Sequence, residues 1–110
     1  NFEGRTALAY VAEKVRQNDA GASVSAGDGI LEITTGDADG SYTLYIYEHE
    51  GYLRELFTRT ELPFDVSAGQ KLLEVDGFSV SEKEEGLLEI SAAGEGEEPI
   101  SLLLHLRSGS

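Results

Sequence analysis

Residues 42–58, YTLYIYEHEGYLRELFT, decide the fold class. Tyr42–Tyr47 combines aromatic with β-branched residues and is the strongest strand pattern in the chain. Glu48–Gly51 is typical of a tight hairpin turn, because glycine accepts the backbone conformation that such a turn requires. Tyr52–Thr58 then returns as the partner strand. The segment therefore predicts an antiparallel hairpin.

The predicted hairpin carries apolar residues on both of its faces. Because side chains alternate between the two faces of a strand, we expect one face to pack on a helix and the other to form an aromatic patch. The patch consists of Tyr45, Tyr47 and Tyr52. Tyrosine is favoured at protein interfaces, which makes this patch a candidate interaction surface. A second packed sheet face would give the same pattern.

Thr6–Asn18 predicts an amphipathic helix ahead of the strands. Its residues are mostly good helix formers, and neither Pro nor Gly interrupts them. The segment Asn18–Gly21 provides the stop signal. Apolar residues recur at helical spacing on one face of this segment: Leu8, Val11, Ala12 and Val15.

Short strand patterns and turns fill the rest of the chain. Ile30–Thr34 is expected to alternate around Ile30 and Glu32, and Pro63 interrupts the run after the hairpin. The later strand candidates are Leu72–Val75, Phe78–Ser81, Leu87–Ala92 and Ile100–Leu106. Regular short connections favour an antiparallel meander over βαβ units. We therefore predict an α+β fold in which the N-terminal helix packs on one antiparallel meander sheet of about five to seven strands.

Composition narrows the function classes. A chain of 110 residues fits one domain, residues 1–110. The formal net charge of −13 repels phosphate backbones and anionic lipid surfaces, so we expect no nucleic-acid binding. The absence of cysteine excludes a disulfide framework and a thiolate metal site. The sequence contains no methionine and no bilayer-spanning stretch, and we expect a signal or membrane helix upstream of Asn1.

The residues that usually carry catalysis form no recognisable set. His49 lies between two glutamates in the predicted turn, and His105 alternates onto the outer face of the last strand. Both are interpreted as exposed structural positions rather than as a general base or a metal ligand. No P-loop, Rossmann fingerprint or nucleophile elbow is present. We expect no enzyme activity, no cofactor, no metal and no small-molecule substrate.

The acidic residues are also interpreted as loop residues. Asp37 and Asp39 resemble part of a calcium loop, but the EF-hand register would place Thr35 first and Ile46 twelfth, where acidic ligands are needed. A polar turn explains the segment, and calcium binding by the two aspartates stays open. The sequence contains 21 acidic residues, so chance carboxylate pairs are unavoidable and give no evidence for a glycoside hydrolase.

Three segments resemble a family of Gram-positive bacterial proteins described as a domain of unknown function. They are RTALAYVAEKVRQND (Arg5–Asp19), YTLYIYEHEGYLREL (Tyr42–Leu56) and LLEVDGFSV (Leu72–Val80). Members of this family look like minor pilins or pseudopilins. The segment Gly51–Arg107 is also similar to the C-terminal part of minor pseudopilins of competence and secretion systems.

The resemblance implies a pilin-like fold and a non-enzymatic role as a structural subunit on the cell surface. Its partners would be other pilin-like subunits, and the precursor would be membrane-anchored by an upstream apolar helix. The alternative is a free-standing extracellular module that binds carbohydrate or peptide through Tyr45, Tyr47 and Tyr52. A hydrolase that uses its acidic residues is a third reading, for which no positioned acid–base pair is visible.

Overall fold

The computed structural model describes residues 3–18, 21–37 and 39–106. The helix α1 spans Glu3–Asn18. The Asn18 side-chain amide donates to the Lys14 carbonyl at 2.8 Å, which satisfies one of the backbone acceptors left open at the helix end. The buried face agrees with the predicted apolar stripe and consists of Ala7, Leu8, Val11, Ala12 and Val15. In the described part of the chain, no helix has the length and apolar character that a bilayer crossing demands.

Within these residues, eight strands form two antiparallel sheets. Sheet A has five strands in the order β1-β2-β3-β4-β5, and sheet B has three in the order β6-β7-β8. The strands of sheet A are β1 Ser23–Gly27, β2 Ile30–Asp37, β3 Gly40–His49, β4 Tyr52–Arg59 and β5 Gln70–Glu74. The strands of sheet B are β6 Gly77–Glu84, β7 Leu87–Ala93 and β8 Ile100–His105.

The presence of two sheets corrects the predicted fold class. The described chain is mostly antiparallel β structure with one N-terminal helix, rather than an α+β, pilin-like fold built on a single meander. The break falls between β5 and β6. Val75 donates its N–H to the Gly51 carbonyl in sheet A at 2.9 Å, and the next residue, Asp76, donates to the Ala93 carbonyl in sheet B at 2.7 Å. The chain changes sheets within one peptide unit, which a pattern of strands and turns does not reveal.

Helix and sheets enclose one hydrophobic core. β6 packs against β1, β2 and β3, whereas α1 contacts β7 and β8 of sheet B and β5 of sheet A. The face of sheet A that carries Leu31, Leu44 and Ile46 belongs to this core and is here named the inner face; the opposite face is the outer face. Burying each large aliphatic side chain stabilises the fold by roughly 1.5–3 kcal/mol.

Two hairpins of sheet A turn through two residues with left-handed backbone. Glu50 (φ 55°) and Gly51 (φ 83°) join β3 to β4, and Asp28 (φ 56°) and Gly29 (φ 77°) join β1 to β2. Turns with positive φ at both central residues match the right-handed twist of the flanking strands. The predicted turn after Tyr47 is therefore confirmed and centred on its last two residues.

Candidate functional site

The three tyrosines of the predicted patch lie on one face, but two of them are covered. The β3–β4 register places Tyr45, Tyr47 and Tyr52 together on the outer face of sheet A. Tyr45 is 9% exposed and Tyr47 2% exposed, while Tyr52 is half-buried beneath the Lys71 ammonium, 4.4 Å from its ring centroid. Tyr45 and Tyr47 therefore offer almost no surface to a partner, which agrees with the alternative of a packed sheet face.

Residues 60–69, here named the covering loop, account for this burial. The Phe64 ring lies 4.5 Å from the Tyr45 ring and 5.0 Å from the Tyr47 ring, measured between centroids. The Tyr47 hydroxyl donates to the Val66 carbonyl at 2.8 Å. Burial raises the pKa of the Tyr47 hydroxyl, and the nearby Arg54 charge opposes that rise. Sequence reasoning missed this loop because it reads only as an irregular segment after a proline.

A buried arginine forms a hydrogen bond with the C-terminal end of the covering loop. Arg54 is 7% exposed and donates to the His49 carbonyl at 3.2 Å and the Gly69 carbonyl at 3.4 Å. Its charge lies 3.9 Å from the Glu50 carboxylate. At the middle of the loop, the Asp65 carboxylate accepts hydrogen bonds from Ser67, which lower the pKa of that carboxyl. Arg54 and Asp65 thus both pair with groups of the fold itself.

An exposed group of aromatic residues lies on the other side of sheet A. Tyr42 and Phe57 stack with centroids 5.5 Å apart and planes inclined by 10°, and the Arg59 guanidinium lies 5.4 Å from the Tyr42 ring centroid. Phe57 is 63% exposed. These three residues, here named the aromatic cluster, occupy the end of the inner face. Because side chains alternate along a strand, Leu44 and Ile46 identify the inner face from the sequence. The sequence does not indicate that the end of this face is exposed to solvent.

The charged residues beside this cluster pair with each other. The Arg59 side chain donates to the Glu61 carboxylate at 3.0 Å and to the Tyr42 hydroxyl at 3.2 Å. The hydrogen bond with Glu61 raises the pKa of Arg59 and lowers that of Glu61. Together with Glu61, the aromatic cluster therefore presents an apolar ring surface next to a cation and an anion. Such a combination suits contact with a partner rather than proton transfer.

The remaining candidates stay apart from one another. His49 is half-buried with its Nε2 3.9 Å from the Glu50 carboxylate, and His105 is exposed on β8. The described residues contain no group of three His, Asp or Glu side chains placed to hold a metal. Asp39 is exposed, whereas the Asp37 side chain and Ala38 lie outside the described residues, so the calcium question lies there too.

Two shallow surface depressions are lined by described residues. One, of about 260 Å³, lies against β6 and β7 and is lined by Phe78, Ser79, Ser91 and Pro99 among others. The second, of about 240 Å³, includes Tyr47, Val66 and Asp28. Both are smaller than the roughly 300–1,000 Å³ typical of small-molecule sites. Neither places an acid and a base across from each other.

Comparison with known protein families shows a match over most of the chain. A family model described as a domain of unknown function (DUF4860) matches residues 2–95, which include α1, sheet A, β6 and β7. No curated protein and no solved structure matches the chain.

Proposed function

We propose that this chain, which belongs to the family described as a domain of unknown function (DUF4860), is a non-enzymatic structural subunit of a cell-surface assembly, of the minor pilin or pseudopilin kind. Its partners are other subunits of that assembly. It acts outside the cell, and an upstream apolar helix anchors its precursor in the membrane.

The docking of the first turn of α1 carries the proposal. Gly4 is buried, and a Cβ at this position would meet the Ala92 carbonyl oxygen at 3.2 Å. The Glu97 carboxylate accepts the N–H groups of Gly94 at 3.0 Å and Gly4 at 3.4 Å. A carboxylate at a helix N-terminus also interacts favourably with the helix dipole. A subunit that is anchored through an upstream helix needs a rigid contact between that helix and its β-sheets. If the first turn of α1 were loosely packed, the orientation of the sheets relative to the anchor would not be fixed.

The titratable groups favour a structural role over a catalytic one. Among the described residues, the side chains with displaced pKa values do not meet in one cleft, and each displacement follows from burial or a local hydrogen bond. Catalytic groups usually converge on a pocket, where one perturbs the other. The groups concerned are Tyr47, Glu55, Arg59, Glu61 and Asp65.

The test uses the complete gene product in the bacterium that encodes it. Since residues 1–110 contain no cysteine, Phe57→Cys gives one reporter on an exposed side chain. We expect the protein in the membrane and sheared surface fractions, with thiol crosslinks to other subunits. The matched control carries the same reporter but replaces the segment upstream of Asn1 with a cleavable signal peptide, and it is expected to lose both. Release of the intact gene product into the medium as an uncrosslinked protein would overturn the proposal.

The aromatic cluster favours the second candidate, a free-standing extracellular module for carbohydrate or peptide. Nearly parallel rings, one exposed and one half-buried, lie beside a cation and provide a stacking surface of the kind that sugar rings and peptide side chains use. The predicted platform of Tyr45 and Tyr47 does not serve this purpose, since both are buried. In this alternative, Phe57 and Tyr42 replace them as the contact residues.

Screening of the 110-residue chain on glycan and peptide arrays tests the alternative. Phe57→Ala is the matched variant, because its side chain is largely exposed and its loss leaves the core intact. Binding that disappears in Phe57→Ala would support the module. Absence of binding on both arrays, or binding unchanged by the substitution, would exclude the aromatic cluster as a ligand platform.

A further inference from the structure

Edge strands of the two sheets differ in how they are protected against pairing. β5 and β6 each carry an extra residue opposite their partner strand, where the register shifts, and each bears lysine, Lys71 and Lys83. Bulges and charges of this kind prevent an edge from accepting another strand. β1 has five residues and packs against β6. Three edges are thus bulged, charged or short.

β8 has none of these protections. Its six residues, ISLLLH, include no Lys, Arg, Asp or Glu and neither Gly nor Pro. It pairs with β7 without interruption from Ile100 to His105. Leu103 points away from the core and is 55% exposed. A regular, uncharged edge with an exposed leucine is the type of strand that accepts a partner strand.

The hydrogen bonds of sheet B show which backbone groups of β8 are open. Leu106 donates its N–H to the Gly86 carbonyl at 2.8 Å. This bond shows which residues of β8 direct their backbone groups towards β7. Because hydrogen-bonded pairs alternate in antiparallel sheets, even-numbered residues of β8 bond to β7. The N–H and C=O groups of Ser101, Leu103 and His105 therefore point to the free edge. Within the described residues, no hydrogen bond outside the β7–β8 ladder reaches them.

We propose that β8 is a self-association edge, on which the β8 strand of a second copy of this chain pairs in antiparallel register centred on Leu103. In that register Leu103 faces Leu103 of the other copy, Ser101 faces His105, and Leu102 faces Leu104. Apolar residues meet apolar residues and polar residues meet polar ones, so the strand is complementary to itself. Each outward-pointing residue joins a pair that exchanges two hydrogen bonds.

Local charge does not oppose a second copy at this edge. Each chain carries a formal charge of −13, so two copies repel one another over most of their surface. β8 brings together six residues without an acidic side chain. The association should therefore strengthen as salt screens the remaining repulsion. The pairing of β8 edges stands whether or not the chain is a pilin-like subunit.

Sedimentation equilibrium of the 110-residue chain over a range of protein and salt concentrations is the first test. We expect a monomer–dimer equilibrium that shifts to dimer with added salt. Leu103→Lys should raise the dissociation constant about tenfold or more, because two leucines lose burial at once and two like charges are opposed. Leu62→Lys, at another exposed leucine, is the matched control and should leave the constant unchanged. A monomer at every concentration, or a dimer insensitive to Leu103→Lys, would overturn the proposal.

Cysteine substitution tests the register. Paired residues in a hydrogen-bonded antiparallel pair have Cα atoms about 5.5 Å apart, within disulfide range. Leu103→Cys is therefore expected to form an intermolecular disulfide under mild oxidation. Ser101→Cys, two residues away on the same exposed face, faces His105 of the other copy and should form little disulfide. Equal crosslinking by both variants would contradict pairing centred on Leu103.

Discussion

The Phe64 ring meets Tyr47 nearly edge-on, with 5.0 Å between centroids and 85° between ring planes. This contact covers the part of the outer face of sheet A that carries Tyr45 and Tyr47. An edge-to-face pair is favourable because the positive ring edge meets the negative ring face. Phe64 is the one aromatic side chain of the covering loop, so it holds much of the apolar contact between the loop and the sheet.

Phe64→Ala should lower the free energy of unfolding by about 1–3 kcal/mol, less than for a fully buried phenylalanine because Phe64 is half-buried. It should also bring the pKa of Tyr47 back towards its ordinary value, since water then reaches the hydroxyl. Urea unfolding by circular dichroism and alkaline ultraviolet titration measure the two effects. Phe57→Ala, at an exposed phenylalanine, should cost less than about 1 kcal/mol. Equal losses in both variants would show that the covering loop does not shield the outer face.

Gly69→Ala should destabilise the covering loop through steric overlap alone. Gly69 has φ −70° and ψ 148°, which alanine adopts freely. A Cβ there would overlap the Tyr47 hydroxyl and approach the Arg54 Cβ to 3.2 Å. Overpacking of this kind costs about 1–3 kcal/mol. In Gly77→Ala the new methyl has no neighbour within 4 Å, so its stability should be equal to or slightly above that of the parent. Unfolding midpoints in urea compare the two, and a neutral Gly69→Ala would mean that Tyr47 moves aside at no cost.

The sequence predicted local structure correctly where the spacing of apolar residues and the position of glycine determine it. The apolar stripe of α1 and the turn at Glu50–Gly51 depend on spacing and on glycine, and both are as predicted. In β2 the prediction was one residue out of phase. Leu31 and Ile33 face the core, not Ile30, because β2 pairs Leu31 with Ile46 and Ile33 with Leu44. The phase that places Leu31 and Ile33 inside also keeps Glu32 out of the core, and the pairing with β3 fixes it.

The division into two sheets and the fate of the tyrosines depend on distant contacts. Nothing in the residues around Val75 and Asp76 distinguishes a turn within one sheet from a passage between two. The sequence left open whether Tyr45 and Tyr47 are exposed, because the segment around Phe64 that covers them has no strand or helix periodicity. The sequence did not reveal the aromatic cluster, because strand alternation places Phe57 on the face of the core and predicts that it is buried, whereas it is exposed.

Glu97→Ala should loosen the joint between α1 and sheet B. The Glu97 carboxylate accepts two backbone N–H groups, one of them in the first turn of the helix. Its loss should cost about 0.5–2 kcal/mol and speed hydrogen exchange of the amides near Gly4. Glu98→Ala is the matched control, because the neighbouring Glu98 side chain is exposed. Hydrogen exchange by mass spectrometry measures the effect. Unchanged protection of α1 in Glu97→Ala would remove the observation on which the proposed subunit role depends.

Glu55→Gln should change the pH dependence of stability in a direction set by burial. Glu55 on β4 is half-buried and its carboxylate accepts a hydrogen bond from the Tyr10 hydroxyl of α1. Burial raises the pKa of this carboxyl. The folded chain therefore holds the proton more tightly than the unfolded chain. The resulting stability is complete below the ordinary pKa and is lost as pH rises through the raised value. Glutamine keeps an acceptor for Tyr10 without a charge, so Glu55→Gln should gain stability over the parent as pH rises and match it in acid.

Glu61→Gln provides a control of opposite sign. The hydrogen bond from Arg59 lowers the pKa of Glu61, so its contribution is present above the ordinary pKa and is lost as pH falls through the lowered value. The variant should be less stable than the parent at neutral pH by a small, salt-sensitive amount, because the pair is exposed. Urea unfolding across the acid to neutral range measures both differences. A Glu55→Gln variant that is less stable than the parent by the same amount at every pH would contradict this prediction. In that case the hydrogen bond from Tyr10 to the carboxylate stabilises the fold by more than the burial of the charge destabilises it.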